Sequence, residues 1–306
     1  MLHPTLKEMI AVTKEAKNPP ISHHSLAEIR RGPLKMKPLA GEPKPLPKVM
    51  NHLIHTSEGN LLIRLYYPRE DRSLPALIYF HPGSFVKGDL DAHDSVCRSL
   101  AEASGCLIIA VNYPKAPEHP YPHALRQGKE AVLWIKENAK VIHCDGRLAI
   151  GGENAGGNLA AVLSHILQGQ VPLSCQVLIY PQTDLTFSSN AHQTYGTGYL
   201  LERESLEWYK KQYLPKNADP KDPSISPLFA KDFTSLPPTL ILTAEYDPLR
   251  DEGEDYAQKL AAAGVPTIHQ RYDGMVHGFF QMGGIIEEGR LAIETVGKTL
   301  KAHFSL

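Results

Sequence analysis

Leu148-Ala149-Ile150-Gly151-Gly152-Glu153-Asn154-Ala155-Gly156-Gly157-Asn158-Leu159-Ala160-Ala161-Val162-Leu163 passes from an apolar strand through a tight turn into a helix. Small residues at 152 and 156 are what such a turn needs, because strand and helix backbones come close there and the central residue is strained. With serine at the centre the turn would read G-x-S-x-G and present a nucleophile. The centre here is Asn154. An amide fills similar space and tolerates strained or left-handed backbone, but it has no hydroxyl to deprotonate and is a poor nucleophile. Taken alone, the stretch reads equally well as a helix N-terminus with two packing glycines.

Outward from this turn, short strand-like runs occupy Leu61 to Tyr66, Ala76 to Phe80, Cys106 to Val111, Cys175 to Ile179, Thr239 to Thr243 and Thr267 to Tyr272. Helix-like segments lie between most of them, at Ala92 to Ser104, Ala124 to Asn138, Gly157 to Leu167 and Asp251 to Ala263. Alternation of this kind predicts an α/β fold with a mostly parallel central sheet covered by helices on both faces. Functional groups of such sheets gather just past the carboxyl ends of the strands. Residues 1–48 open with helical spacing at Leu6, Ile10 and Val12 and close in a proline-rich stretch, Pro38 to Pro47, which cannot hold regular helix. They are expected to form an N-terminal cap segment before a catalytic domain over 49–306. Residues 185–225 break the alternation with polar turns and aromatics, among them Tyr195, Tyr199, Trp208, Tyr209 and Tyr213, and are expected to form an inserted second piece of a small helical cap.

Two further positions follow strand ends in the right way. Asp247 comes just after the late apolar strand ending at Thr243, and His277 lies in the loop after the last strand. A carboxylate that fixes a histidine tautomer, with the histidine as general base, is the support a hydroxyl nucleophile requires. His81-Pro82-Gly83-Ser84-Phe85 follows the strand Ala76 to Phe80, where backbone N–H donors for an oxyanion are wanted. Gly83 and Ser84 each offer an N–H there and Ala155 offers a third, whereas Pro82 has none.

The chain of 306 residues is 42% hydrophobic, enough for one sizeable core, and its formal net charge of −1 provides no basic field for nucleic acid. Cys97, Cys106, Cys144 and Cys175 form no C-x-x-C pair and read as buried free thiols of a reducing compartment. No run reaches the roughly 18 to 20 apolar residues of a membrane span, and the first residues lack a secretory signal. A cytoplasmic protein is the expectation.

Four more strings carry a resemblance. Phe85-Val86-Lys87-Gly88-Asp89 followed by His93-Asp94, Tyr113-Pro114-Lys115-Ala116-Pro117-Glu118-His119-Pro120-Tyr121-Pro122, Ser224-Ile225-Ser226-Pro227-Leu228 and Asp247-Pro248-Leu249-Arg250-Asp251-Glu252-Gly253 are similar, in order, to segments of the hormone-sensitive-lipase-like (family IV) carboxylesterases. That family has the α/β-hydrolase fold, with the order elbow, acid, histidine along the chain. The resemblance implies hydrolysis of small carboxylic esters of short acyl chains, without metal or organic cofactor. It assigns Asn154, Asp247 and His277 to the catalytic positions and Gly83, Ser84 and Ala155 to the oxyanion. It also makes a homodimer through the edge of Thr267 to Tyr272 an expectation.

Two departures stand out. H-P-G-S replaces the usual H-G-G-G, and the elbow reads G-E-N-A-G where G-[DE]-S-A-G is expected. Loss of a triad serine costs about 10⁶ in turnover in a serine protease. The first expectation is thus an esterase scaffold silenced by Asn154, for instance to hold a substrate. The alternative is a non-hydrolytic small-molecule-binding protein on the same fold, as the resemblance of such esterases to the plant gibberellin receptors suggests. A third route is deamidation of Asn154 to a carboxylate nucleophile.

Overall fold

The run Leu74–Phe80 is buried along its whole length because both of its faces are covered. Ala76, Ile78 and Phe80 belong to one apolar cluster, while Leu77 and Tyr79 belong to the other. Such a strand loses the polar–apolar alternation of a half-exposed one and reads as a continuous apolar run. The structure, a computed structural model, describes residues 1–16 and 18–306.

In chain order its elements are α1 (Pro4–Glu15), α2 (Leu26–Met36), β1 (Lys48–Thr56), β2 (Gly59–Tyr67), β3 (Leu74–Phe80), α3 (Asp94–Ser104), β4 (Leu107–Val111), α4 (His123–Glu137), β5 (Cys144–Glu153), α5 (Ala155–Ile166), β6 (Leu173–Ile179), α6 (Asn190–Thr194), α7 (Arg203–Tyr213), β7 (Thr239–Tyr246), α8 (Arg250–Ala262), β8 (Thr267–Val276) and α9 (Glu287–Phe304). The strands form one sheet in the order β1-β2-β4-β3-β5-β6-β7-β8. Only the pairings of β2 with β1 and with β4 are antiparallel. From β4 to β8 every pairing is parallel, so the carboxyl ends of β3, β5, β7 and β8 point the same way. Helices α4, α5 and α8 cover one face through residues such as Val132, Leu159 and Leu260. Helices α1, α3 and α9 cover the other through Leu6, Leu100 and Val296. Each fully buried leucine among these contributes about 1.5–3 kcal/mol.

The seven runs and four helices expected from the sequence are present, with shifted ends. Helix α5 starts at Ala155 rather than Gly157, and β8 continues past Tyr272 to Val276. That extension contains a register shift where Ala244 and Tyr246 pair across it, with Gly274 at φ 78. Within the first 48 residues, Leu6 and Ile10 are buried as expected, but Val12 is 66% exposed. The first turns of α1 pack against the sheet and its last turn leaves it. Helix α2 begins with a capping box between Ser25 and Glu28 and carries Pro33 inside it. The proline-rich stretch holds only a short 3₁₀ turn at Lys37–Ala40, in accord with the lack of regular helix.

Candidate active site

The elbow leaves a single residue between β5 and α5. Asn154 has φ 51 and ψ −115, a conformation that costs about 1–3 kcal/mol in a non-glycine residue and that asparagine accepts better than most. The surrounding packing holds it there. Asn154 N–H donates to Ile179 O at 3.0 Å, and its carbonyl accepts from Asn158 N–H at 2.9 Å and Gln182 N–H at 3.1 Å. A Cβ on Gly152 would lie 2.5 Å from Phe80 O, and one on Gly156 would overlap the same carbonyl, so the two small residues are required by the crossing itself.

Opposite the elbow, the loop after β3 turns through three consecutive residues of positive φ, Gly83 at 128, Ser84 at 51 and Phe85 at 64. Gly83 is obligatory, since a Cβ there would collide with the carbonyl of Lys87. The carbonyl of Gly83 accepts from both Val86 N–H and Lys87 N–H at 3.0 Å, which closes the turn. Ser84 N–H donates to Asn154 Oδ1 at 3.1 Å. This donor fixes the amide orientation, because the flipped amide would set one N–H against another. Asn154 Nδ2 is then left buried without a partner among the described residues.

Asp247 follows β7 directly and is fully buried. Its Oδ1 accepts from Leu249 N–H at 2.8 Å, and its Oδ2 accepts from His277 Nδ1–H at 2.8 Å. His277 follows β8, and the ring of Tyr180 packs against it at 4.5 Å between centroids, tilted by 49°. Tyr180 O–H donates to Glu153 Oε2 at 2.6 Å, and Gln281 Nε2 donates to the same oxygen at 2.9 Å. Tyr79 O–H donates to the other carboxylate oxygen. Glu153, wholly buried beside Asn154, is thereby satisfied by three donors from three separate stretches of the chain and connects the elbow to the wall behind His277.

Asn154, Gly83, Ser84 and His277 all line one cavity of about 350 Å³. The sequence-expected residues therefore come together from four separate loops, with the Asp247 carboxylate behind His277. Ala155 supplies the first N–H of α5 beside them. Tyr195 and Tyr199 of the inserted segment pack on each other and on Tyr246. Trp208 packs on Tyr209. The lining comes rather from Gly32, Pro33, Met36 and Leu39 of the N-terminal segment and from Leu200, Leu201 and Met282. No local pattern in the sequence marks these residues, since their contact with the site depends on how distant segments dock.

A second imidazole–carboxylate pair lies nearby. His192 Nε2 and Glu252 Oε2 are 2.8 Å apart with both side chains fully buried. Thr183 N–H and Asp184 N–H donate to Glu252 Oε1 at 2.8 and 3.2 Å. Burial, the largest cause in each, pushes the Glu252 carboxyl well up and His192 down to about 4.

A mostly parallel sheet with helices on both faces, a strained strand–turn–helix elbow and a histidine–carboxylate pair in this chain order define an α/β-hydrolase. A family model described as alpha/beta hydrolase fold matches residues 77–281. Among known proteins, the chain is 40% identical over 256 residues to an ethyl acetate hydrolase of Pseudomonas putida, covering 81% of this chain and 80% of that one. It is 31% identical over 306 residues to an arylesterase of Saccharolobus solfataricus, covering 99% of both. An ester hydrolase from the metagenome of Lake Arreo, solved with a derivative of bipyridine phosphonate, superposes with a TM-score of 0.96 at 36% identity over 100% of both chains. The esterase of Pyrobaculum calidifontis superposes with a TM-score of 0.93 at 37% identity over 98% of both. The chain belongs to the hormone-sensitive-lipase-like carboxylesterases of the α/β-hydrolase fold.

Proposed function

We propose that this chain is a short-chain carboxylic ester hydrolase in every part except the nucleophile, and that Asn154 holds its turnover close to background. In a serine-bearing form, His277 Nε2 takes the hydroxyl proton as oxygen attacks the ester carbonyl. Asp247 keeps Nδ1 protonated and stabilises the imidazolium that forms. The N–H groups of Gly83, Ser84 and Ala155 receive the negative oxygen. His277 then returns the proton to the departing alcohol and activates the water that releases the acid. The observation that carries this reading is the 2.8 Å bond from His277 to the buried Asp247, facing the same cavity as the elbow. A purely structural role gives no reason to hold that pair beside a strained turn.

Hydrolysis of a short-chain aryl ester by this chain, by Asn154→Ser and by Asn154→Ser/His277→Ala tests it. Serine is expected to raise turnover by several orders of magnitude, on the scale of the roughly 10⁶-fold nucleophile effect, and the double variant to lose the gain. A folded Asn154→Ser protein at background rate removes the reading.

One observation favours a second reading, a binding protein without hydrolysis. Asn154 Oδ1 already occupies the Ser84 N–H, and Nδ2 stands as an unmet buried donor on the cavity wall. A carbonyl or carboxylate ligand would satisfy that donor, whose desolvation otherwise costs about 1–3 kcal/mol. Pro82 and Ser84 depart from the family pattern in the same loop, which a change confined to the nucleophile does not require. A homodimer and a reducing, cytoplasmic setting complete the proposal; four buried, unpaired cysteines suit the latter.

A further inference from the structure

The loop between β3 and α3 carries two polar side chains that the ester chemistry above leaves unused. Lys87 and His93 both line the catalytic cavity beside Asn154 and His277. Lys87 is half-buried, and its ammonium rests over the ring of Tyr209, 5.0 Å from the centroid, with no carboxylate paired to it among the described residues. It also lines a larger outer chamber of about 820 Å³, so it stands at the seam between the outer chamber and the reacting groups. His93 is 3% exposed, and neither of its ring nitrogens has a partner among the described residues. Buried polar nitrogens without partners are unfavourable and rare, and they become satisfied when a ligand atom meets them. Elsewhere the cavity wall is largely apolar, with Met36, Leu39, Leu200 and Met282. A few polar groups converging in an apolar cavity of this size are what orient and select a small molecule.

We propose that Lys87 and His93 form an anion subsite within the catalytic cavity, so that the preferred ligand is a small ester bearing a second, free carboxylate. The ester end would lie at Asn154 and His277. The free carboxylate would draw the Lys87 ammonium off the Tyr209 ring and accept from the imidazole N–H of His93. This deepens the esterase reading and rests on it for the placement of the ester group, but binding by the chain as it stands tests it without turnover.

Calorimetric titration of the unaltered chain would compare three small esters. Monoethyl glutarate carries its carboxylate on the acyl side, O-butyryl glycolate carries it on the alcohol side, and ethyl pentanoate is neutral. One of the charged esters is expected to bind about tenfold tighter than ethyl pentanoate, the scale of one charge-assisted hydrogen bond, and the side that gains locates the carboxylate. That ratio should fall toward one in Lys87→Met, stay high in Lys87→Arg and shrink with added salt. Equal binding of charged and neutral esters, a preference that survives Lys87→Met, or no binding of any of the three overturns the subsite. The two proposals fail separately. Turnover by Asn154→Ser without anion preference removes only the subsite, and anion preference without turnover removes only the hydrolase.

Discussion

At the scale of single residues, Asn154 carries both the sequence argument and its limit. The flanking glycines and the chain order of Asp247 and His277 were legible because a strained elbow and an imidazole–carboxylate pair restrict residue types at those positions. What the amide does there was not legible. Its bond to Ser84 N–H depends on three consecutive positive φ values in a loop 70 residues away, of which only Gly83 announces itself. Buried histidines are a second residue-scale feature with a measurable consequence. Burial holds His165 down to about 4, whereas an unfolded histidine titrates near 6.5. This folded-state value is depressed, so between about 6.5 and 4 the unfolded chain binds a proton that the native state refuses. The stability that His165 contributes is therefore full above about 6.5 and is lost as the pH falls toward about 4. Its Nε2 lies 3.1 Å from Tyr256 Oη and its ring packs on Phe233. Denaturant unfolding at a series of pH values should show His165→Gln with a flatter acid limb, its proton uptake on unfolding near pH 5 reduced by about one proton. An unaltered limb would refute the assignment.

At the scale of elements, the buried strands β3 to β7 and helices α3, α4, α5 and α8 were legible because a covered parallel sheet writes continuous apolar runs and its helices write a clear apolar stripe. Strand β1 was not read. It is an edge strand in which Asn51, His52 and His55 interrupt Val49, Met50, Leu53 and Ile54, and only Ile54 among its residues is fully buried. The last helix, α9, also went unread, although Ala292, Val296, Leu300 and Phe304 are buried along one side. Small residues such as Gly289 and Gly297 dilute its stripe. The backbones of Phe279 and Ala103 come so close to those glycines that a Cβ would meet them at 2.7 and 2.8 Å. The N-terminal segment offers the element-scale experiment. Helix α1 is held by Leu6, 0% exposed, by Ile10, by Met9 packed at the rim of the core, by the bond from His3 N–H to Gly274 O at 3.0 Å, and by two long ion pairs of the residues before it, Met1 with Glu245 and His3 with Glu288. Leu6→Ala would cost about 2–5 kcal/mol if the helix stayed docked, more than so slight an anchorage can sustain. The helix should instead detach locally. Limited proteolysis within residues 1–24 should then accelerate while the main unfolding transition moves little. A large loss in that transition with no added cleavage would show instead that α1 belongs to the cooperative core.

At the scale of the whole molecule, the sheet ends in an edge left largely open. Strand β8 pairs with β7 on one side and, among the described residues, has no strand on the other, where His3 N–H meets Gly274 O near its end. Its first half is mostly open to solvent, and Ile268, an apolar residue 59% exposed, lies within it. Unpaired strand edges are templates for another strand unless charge or a covering element blunts them. Arg271, the one charge in that half, is already engaged by Glu254 at 2.5 Å and so guards the edge poorly. A two-fold axis through this edge would set two β8 strands antiparallel and continue one sheet through both copies, while the cavities, which open past the carboxyl ends of the strands, stay clear of the contact. Sedimentation equilibrium should therefore show a reversible dimer that shifts to single chains in Ile268→Asp. Because Ile268 is exposed, that substitution should leave the far-ultraviolet circular dichroism and the thermal midpoint of the single chain almost unchanged. Single-chain mass at every concentration would exclude pairing through β8, and a dimer unaffected by Ile268→Asp would move the contact to another face.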